Sequence, residues 1–176
     1  MQKNQEPNIS SVDSLFMKNM LEMKVVLYPM EIGLNQTKVN LQKKIAYHIE
    51  GKCIAEGYVK PESVDIHTYS SGAIKGDKIE FDVVFYCLVC NPTEGSLIPN
   101  CTVRSVTKAG IHANVYDNRN NIPVTVFVVR DHFIENRLFN GIKENSVITV
   151  KVIGSRFELN DECVEVLGNI IAEEKH

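Results

Sequence analysis

Five cysteines, five histidines and a late group of acids are the side chains of this 176-residue chain suited to covalent or metal chemistry, and their spacing speaks against both. Cys87-Leu88-Val89-Cys90 matches half of a zinc site. It sits inside a strand-like run, however, where residues three apart point to opposite faces, and a zinc knuckle would need Gly or polar residues there. With Cys53, Cys101 and Cys163 the count is odd and scattered through strand-like segments, so the reading is buried strand cysteines and no disulfide framework. His48, His67, His112, His132 and His176 show no metal spacing, and no Gly-rich phosphate loop, Ser elbow or HExxH motif occurs. Asp131-His132 reads as a capping Asp beside a surface His. Glu158, Asp161, Glu162 and Glu165 read as a solvated acidic edge. Catalytic residues, metal and cofactors are all expected to be absent.

These residues hang on a strand-rich framework. The stretch Lys78 to Asn91, KIEFDVVFYCLVCN, is apolar at Ile79, Phe81, Val83, Phe85, Cys87 and Val89, and its other face turns apolar from Val84 onward. As a strand it reaches about 45 Å, against a diameter of roughly 30 Å for a unit of about 80 residues. It is expected to run out of one domain towards another. Ahead of it, Leu21 to Pro29 reads as a strand stopped by proline, followed by a loop with Glu31-Ile32-Gly33. Thr37 or Asn35 caps a helix of about Lys38 to Glu50, whose apolar residues Leu41, Ile45 and Ile49 recur every four positions and whose αL terminator is Gly51. Cys53 to Val59 and Ser63 to Tyr69 read as strands, and residues 70–77 as the loop into the long strand. The first half is therefore α+β, strand-helix-strands.

The second half has another texture. Short alternating segments at Cys101–Val106, Ile111–Tyr116, Val124–Val129, Ser146–Ile153 and Val164–Leu167 are separated by turn clusters, with a short helix expected over Asp131 to Asn140. Five strands with a helix between the third and fourth are the plan of an OB fold. Residues 1–13 read as a disordered polar tail, 14–93 as the α+β domain and 94–176 as the all-β five-stranded barrel. Hydrophobic content of 44% and charged content of 23% suit a folded chain. No run approaches the roughly 20 apolar residues that span a bilayer, and the start lacks a signal-peptide core. An intracellular protein without membrane contact is the expectation.

The order and spacing of several weak motifs carry a resemblance over nearly the whole chain. They are Ser14-Leu15-Phe16, the strand Val25 to Pro29 followed by Ile32-Gly33, the helix end Ile49-Glu50-Gly51, Gly57-Tyr58-Val59, Ser71-Gly72-Ala73-Ile74, Asp77 to Phe85, Asn91-Pro92 and Gly95 to Val103. Together they resemble the larger stalk subunit of archaeal and eukaryotic DNA-directed RNA polymerases, the seventh-subunit family of RNA polymerase II. The Asn-rich tail and short loops are similar to the version carried by large DNA viruses. The resemblance implies a non-catalytic subunit with an N-terminal tip domain that docks on the polymerase core, and a C-terminal OB domain of the S-one RNA-binding type facing nascent single-stranded RNA. It also implies a smaller helical stalk subunit as partner, and a location in nucleus or cytoplasm, or in the virion and host cytoplasm for a viral member. By this analogy Tyr28, Pro29, Ile32, Gly33, Ser71, Gly72 and Ile74 form the docking tip; strand termination and turning of the chain explain Pro29 and Gly33 equally.

Contact with RNA combines base stacking on aromatics with cations on phosphate. The candidates in the barrel half are Lys108, His112, Tyr116, Phe127, Arg130 and His132. Alternation sets His112 opposite Ile111, Ala113 and Val115, and Phe127 opposite Val126 and Val128. The plainer account of each residue singly is barrel packing for Phe127 and a solvated surface for His112. The chain departs from the S-one pattern: Ala109 and Ile111 flank Gly110 where an aromatic is common, His112 replaces a second aromatic, and Val129 stands where a histidine is typical. From Gly95 onward nine Lys/Arg face ten Asp/Glu, so the barrel is no basic funnel. Weak, sequence-tolerant RNA binding, or none outside the assembled polymerase, is expected. The competing reading is a free-standing OB-fold RNA-binding protein of translation or RNA metabolism.

Overall fold

The computed structural model describes residues 13–34, 36–130 and 141–174. They form two compact units, one of Met17–Cys90 with Phe157–Glu162, the other of Asn91–Arg156 and 163–174 with residues 13–16. The expected N-terminal tail, the Asn35 cap and the helix over Asp131 to Asn140 lie outside the described residues.

Strand alternation and one amphipathic helix build the first unit. Its elements are β1 (Phe16–Leu27), a 3-10 turn (Pro29–Glu31), α1 (Gln36–Ile49), β2 (Cys53–Ile54), β3 (Gly57–Val59), β4 (Asp65–Tyr69), β5 (Ala73–Lys75) and β6 (Lys78–Cys90). The sheet runs β1-β6-β3-β2, with β4 and β5 also paired to β6. Residues 78–80 of β6 pair with β5, 83–86 with β4, and 89–90 with β3, all antiparallel. Three short strands thus follow one another along β6, and this explains its length. The expectation that the strand leaves its domain is corrected, because all 13 residues of β6 lie within the first unit. On β1, the Lys18 ammonium lies 4.1 Å from the Tyr86 ring centroid and Lys24 lies 3.5 Å from Glu80. These contacts run in opposite directions along the two strands, so β1 and β6 are antiparallel.

Helix α1 covers one sheet face. Leu41, Ile45 and Ile49 are buried in a core with Leu27, Val59, Ile66, Val83 and Phe85; each side chain contributes about 1.5–3 kcal/mol of burial. Thr37 lies inside the first helical turn, where its hydroxyl donates to the Gly33 carbonyl at 3.1 Å and accepts from the Gly33 N–H at 3.2 Å. Gly51 ends the helix with φ +71°, and its N–H donates to the Val59 carbonyl at 2.9 Å. Phe157–Glu162 joins this unit through two backbone bonds, Cys53 N–H to Asp161 O and Asn160 N–H to Cys53 O, each 2.8 Å.

The second unit is a closed five-stranded barrel of β7 (Leu97–Val106), β8 (Gly110–Val115), β9 (Val124–Val129), β10 (Val147–Arg156) and β11 (Val164–Glu174), in the order β10-β11-β9-β8-β7. β7 pairs back onto β10 and closes it; β9 and β11 are parallel, the other neighbours antiparallel. This mixed barrel is OB-like. Its filling follows the alternation: Ile98, Cys101, Val103, Ile111, Ala113, Val115, Val126, Val128, Ile148, Val150 and Val166 are buried. A register shift between Val152 and Gly154 places an extra residue, Ile153, in β10. Such a bulge reverses which face later residues present.

Candidate nucleic-acid interface

In OB-like barrels the outer face of the second and third strands, with the adjoining loops, is where oligonucleotides lie. Here those strands are β8 and β9. His112 and Phe127 are direct cross-strand partners, with ring centroids 4.5 Å apart and planes tilted by 41°. Gly110 makes this pair possible. A Cβ at that position would collide with the Val128 carbonyl oxygen and come within 3.0 Å of the Phe127 ring, so the ring rests on bare backbone. Ile111, beside Gly110 on β8, is fully buried in the barrel.

The β7–β8 turn places the cations. Thr107 donates its hydroxyl to the Gly110 carbonyl at 2.9 Å and accepts from the Gly110 N–H at 3.2 Å, which leaves Lys108 exposed on the turn. Arg130 is held against the same turn, its N–H donating to the Ala109 carbonyl at 3.0 Å. Tyr116 lies beyond the other end of β8, about 13 Å from His112 at strand spacing. Lys108, Arg130, His112, Phe127 and Tyr116 therefore follow a stripe along β8 and β9, while His132 lies outside the described residues. Sequence reading missed the sideways continuation of this stripe: Phe127 pairs with Leu167 on β11, and Leu167 with Gly154 on β10.

The segments expected to dock come together in the first unit. Tyr28 is flanked by Lys78, 5.4 Å from its ring centroid, and Lys44, at 5.7 Å. Lys78 closes the β5–β6 hairpin opposite Lys75, so the turn after β1 and the hairpin carrying Ile74 share one end of the sheet. Pro29 opens the 3-10 turn. Gly72 has φ +85°, and a Cβ there would lie 2.7 Å from Ile79. Ile74 is 81% exposed and Tyr28 42%. Ile32, by contrast, is half-buried against the core and anchors the loop. Met30 at 88% and Leu34 at 98% are exposed apolar neighbours that periodicity does not reveal, because loop residues have no period.

Charge holds this loop in shape. The Glu31 carboxylate accepts from Lys44 Nζ and from the Tyr28 N–H, both at 2.8 Å, and the Glu31 carbonyl accepts from Asn40 Nδ2 at 2.8 Å. The Lys44 bond, then the Tyr28 amide, hold the Glu31 carboxyl below its ordinary range. On the hairpin, the bond from Lys75 does the same for Glu80. Asp82 and Glu80 raise Lys24.

Among the described residues no group of three or more His, Cys, Asp or Glu is arranged to hold a metal. Burial pushes the Cys87 thiol up to about 11 and Cys90 up to about 12. Of the acidic group, Asp161 accepts the Glu158 N–H at 2.7 Å and Glu165 pairs with Arg156 at 3.0 Å. Comparison with protein-family models and with curated proteins gives no match. No described helix is long and apolar enough to cross a membrane.

Proposed function

We propose that this chain is a non-catalytic stalk-type subunit of a multisubunit DNA-dependent RNA polymerase, docking through the first unit and guiding nascent RNA across an S-one-like barrel. The observation that carries it is the apolar end of the first unit. Met30 and Leu34, on the loop braced by the Glu31–Lys44 pair, and Ile74, on the β5–β6 hairpin, are presented to solvent. Large apolar side chains left exposed on braced loops and a hairpin at one end of a sheet suit a protein partner. The barrel stripe adds a small aromatic pair with cations at one end, matched to single-stranded RNA of low affinity.

Affinity purification of the tagged chain from its native cell tests the reading. The two largest polymerase subunits should co-purify, and Met30→Asp with Ile74→Asp should remove them. Recovery of translation factors without polymerase would favour the free-standing RNA-binding alternative.

A further inference from the structure

We infer that the barrel holds one unpaired nucleobase in a side groove on β9, β11 and β10, next to the His112–Phe127 pair; this rests on the RNA-facing role proposed above. The strand registers align His112, Phe127, Leu167 and Gly154 side by side across four strands. Three interstrand steps of about 4.8 Å make this row roughly 14 Å wide. At its far end lies a groove of about 320 Å³ lined by Phe127, Gly154, Ser155, Arg156, Glu165, Val166 and Leu167.

Phe127, Leu167, Gly154 and Arg156 each supply something a flat ring needs. Phe127, fixed over Gly110, offers an aromatic surface, and Leu167 an apolar neighbour. Gly154 leaves the space open: a Cβ there meets nothing within 4 Å. The bulge at Ile153 turns Gly154 and Arg156 outward beside Leu167 and Glu165. Arg156 donates Nε at 3.2 Å and Nη2 at 3.0 Å to Glu165 Oε2, which orients its guanidinium and leaves Nη1 outside that carboxylate's grip. The groove is thus an apolar slot edged by the Arg156–Glu165 ion pair, in which a base would lie against Phe127 and Leu167 while the guanidinium Nη1 faces its phosphate. Lys108 and Arg130 lie further along the stripe, on the β7–β8 turn and just past the end of β9.

The Gly154 position gives a direct test, because a side chain there fills the groove without touching the fold. Binding of a fluorescein-labelled single-stranded oligoribonucleotide to the full chain is measured by anisotropy at low salt, with 4-thiouridine photocrosslinking to map contacts. Gly154→Leu should weaken binding by about tenfold, with an unchanged melting temperature, and crosslinks should fall on Phe127 and Leu167. Phe127→Ala should weaken binding at least as much. Wild-type affinity in Gly154→Leu, with Phe127→Ala still weakened, overturns the groove and leaves the RNA-facing role standing. No binding and no crosslink by the parent chain at low salt overturns the groove, while the affinity purification above decides the polymerase reading separately.

Discussion

The apolar end of the first unit and the outer stripe of the barrel solve opposite problems. The first puts large apolar side chains on loops and secures those loops with charge, as Glu31 does by bridging Lys44 and the Tyr28 amide. The second puts a small aromatic pair on strands and secures it by removing a side chain, at Gly110 under Phe127. A charge-braced apolar loop suits a durable protein contact, whereas a shallow stripe with few cations suits a ligand that must slide past. Under the proposed function, the first unit would grip firmly and the barrel loosely.

The sharpest way to break the contrast is at the barrel seat. Gly110→Val drives a branched side chain into the Val128 carbonyl and the Phe127 ring, and should destabilise the barrel by about 3 kcal/mol or more. Urea unfolding followed by circular dichroism reads this directly, and a change below about 0.5 kcal/mol would remove Gly110 as the seat. Next in size, Leu41→Ala under the helix should cost about 2–5 kcal/mol in the same assay, whereas Met30→Asp at the exposed end should stay within about 0.5 kcal/mol. That pair of results separates what builds the first unit from what it presents.

Smaller effects come from titration. Because the Lys44 bond depresses the folded-state pKa of Glu31, its contribution is fully present above the ordinary carboxylate range and is lost as pH falls through the depressed value. Amide exchange at Tyr28 should therefore quicken in acid relative to the barrel amides, and Glu31→Gln should abolish that difference. Smallest of all, iodoacetamide at mild alkaline pH should label half-buried Cys163 first. Cys87 and Cys90, buried and raised to about 11 and 12, should stay unmodified until the first unit opens; their early labelling, read by intact-mass spectrometry, would contradict the burial.

Periodicity revealed what repeats. Leu41, Ile45 and Ile49 announce α1, and the alternation of Val124 to Val129 announces β9 with its bounds intact. Order along the chain was enough for the OB-like plan, since five alternating segments close only a few ways. Three features stayed hidden for physical reasons. Strand β5 is three exposed residues, too short to alternate. The bulge at Ile153 reverses inward and outward along β10, so Gly154 and Arg156 could not be assigned a face by counting. The length of β6 was visible, but its cause was not, because pairing of three separate short strands with one long one leaves no mark on the long strand itself. At the candidate site, His112 and Phe127 were legible from alternation, whereas Leu167 enters only through the parallel pairing of β9 with β11.

β6 also sets a timetable. It is the last strand of its sheet in sequence, yet β1, β3, β4 and β5 all pair with it. During synthesis, β1 emerges from the ribosome long before its neighbour exists, and the β2–β3 hairpin and strands β4 and β5 have nothing to join until Lys78–Cys90 has followed. The apolar residues of β1 and α1 must therefore wait in the nascent state, which makes the pause before β6 emerges the interval in which a chaperone would be most useful.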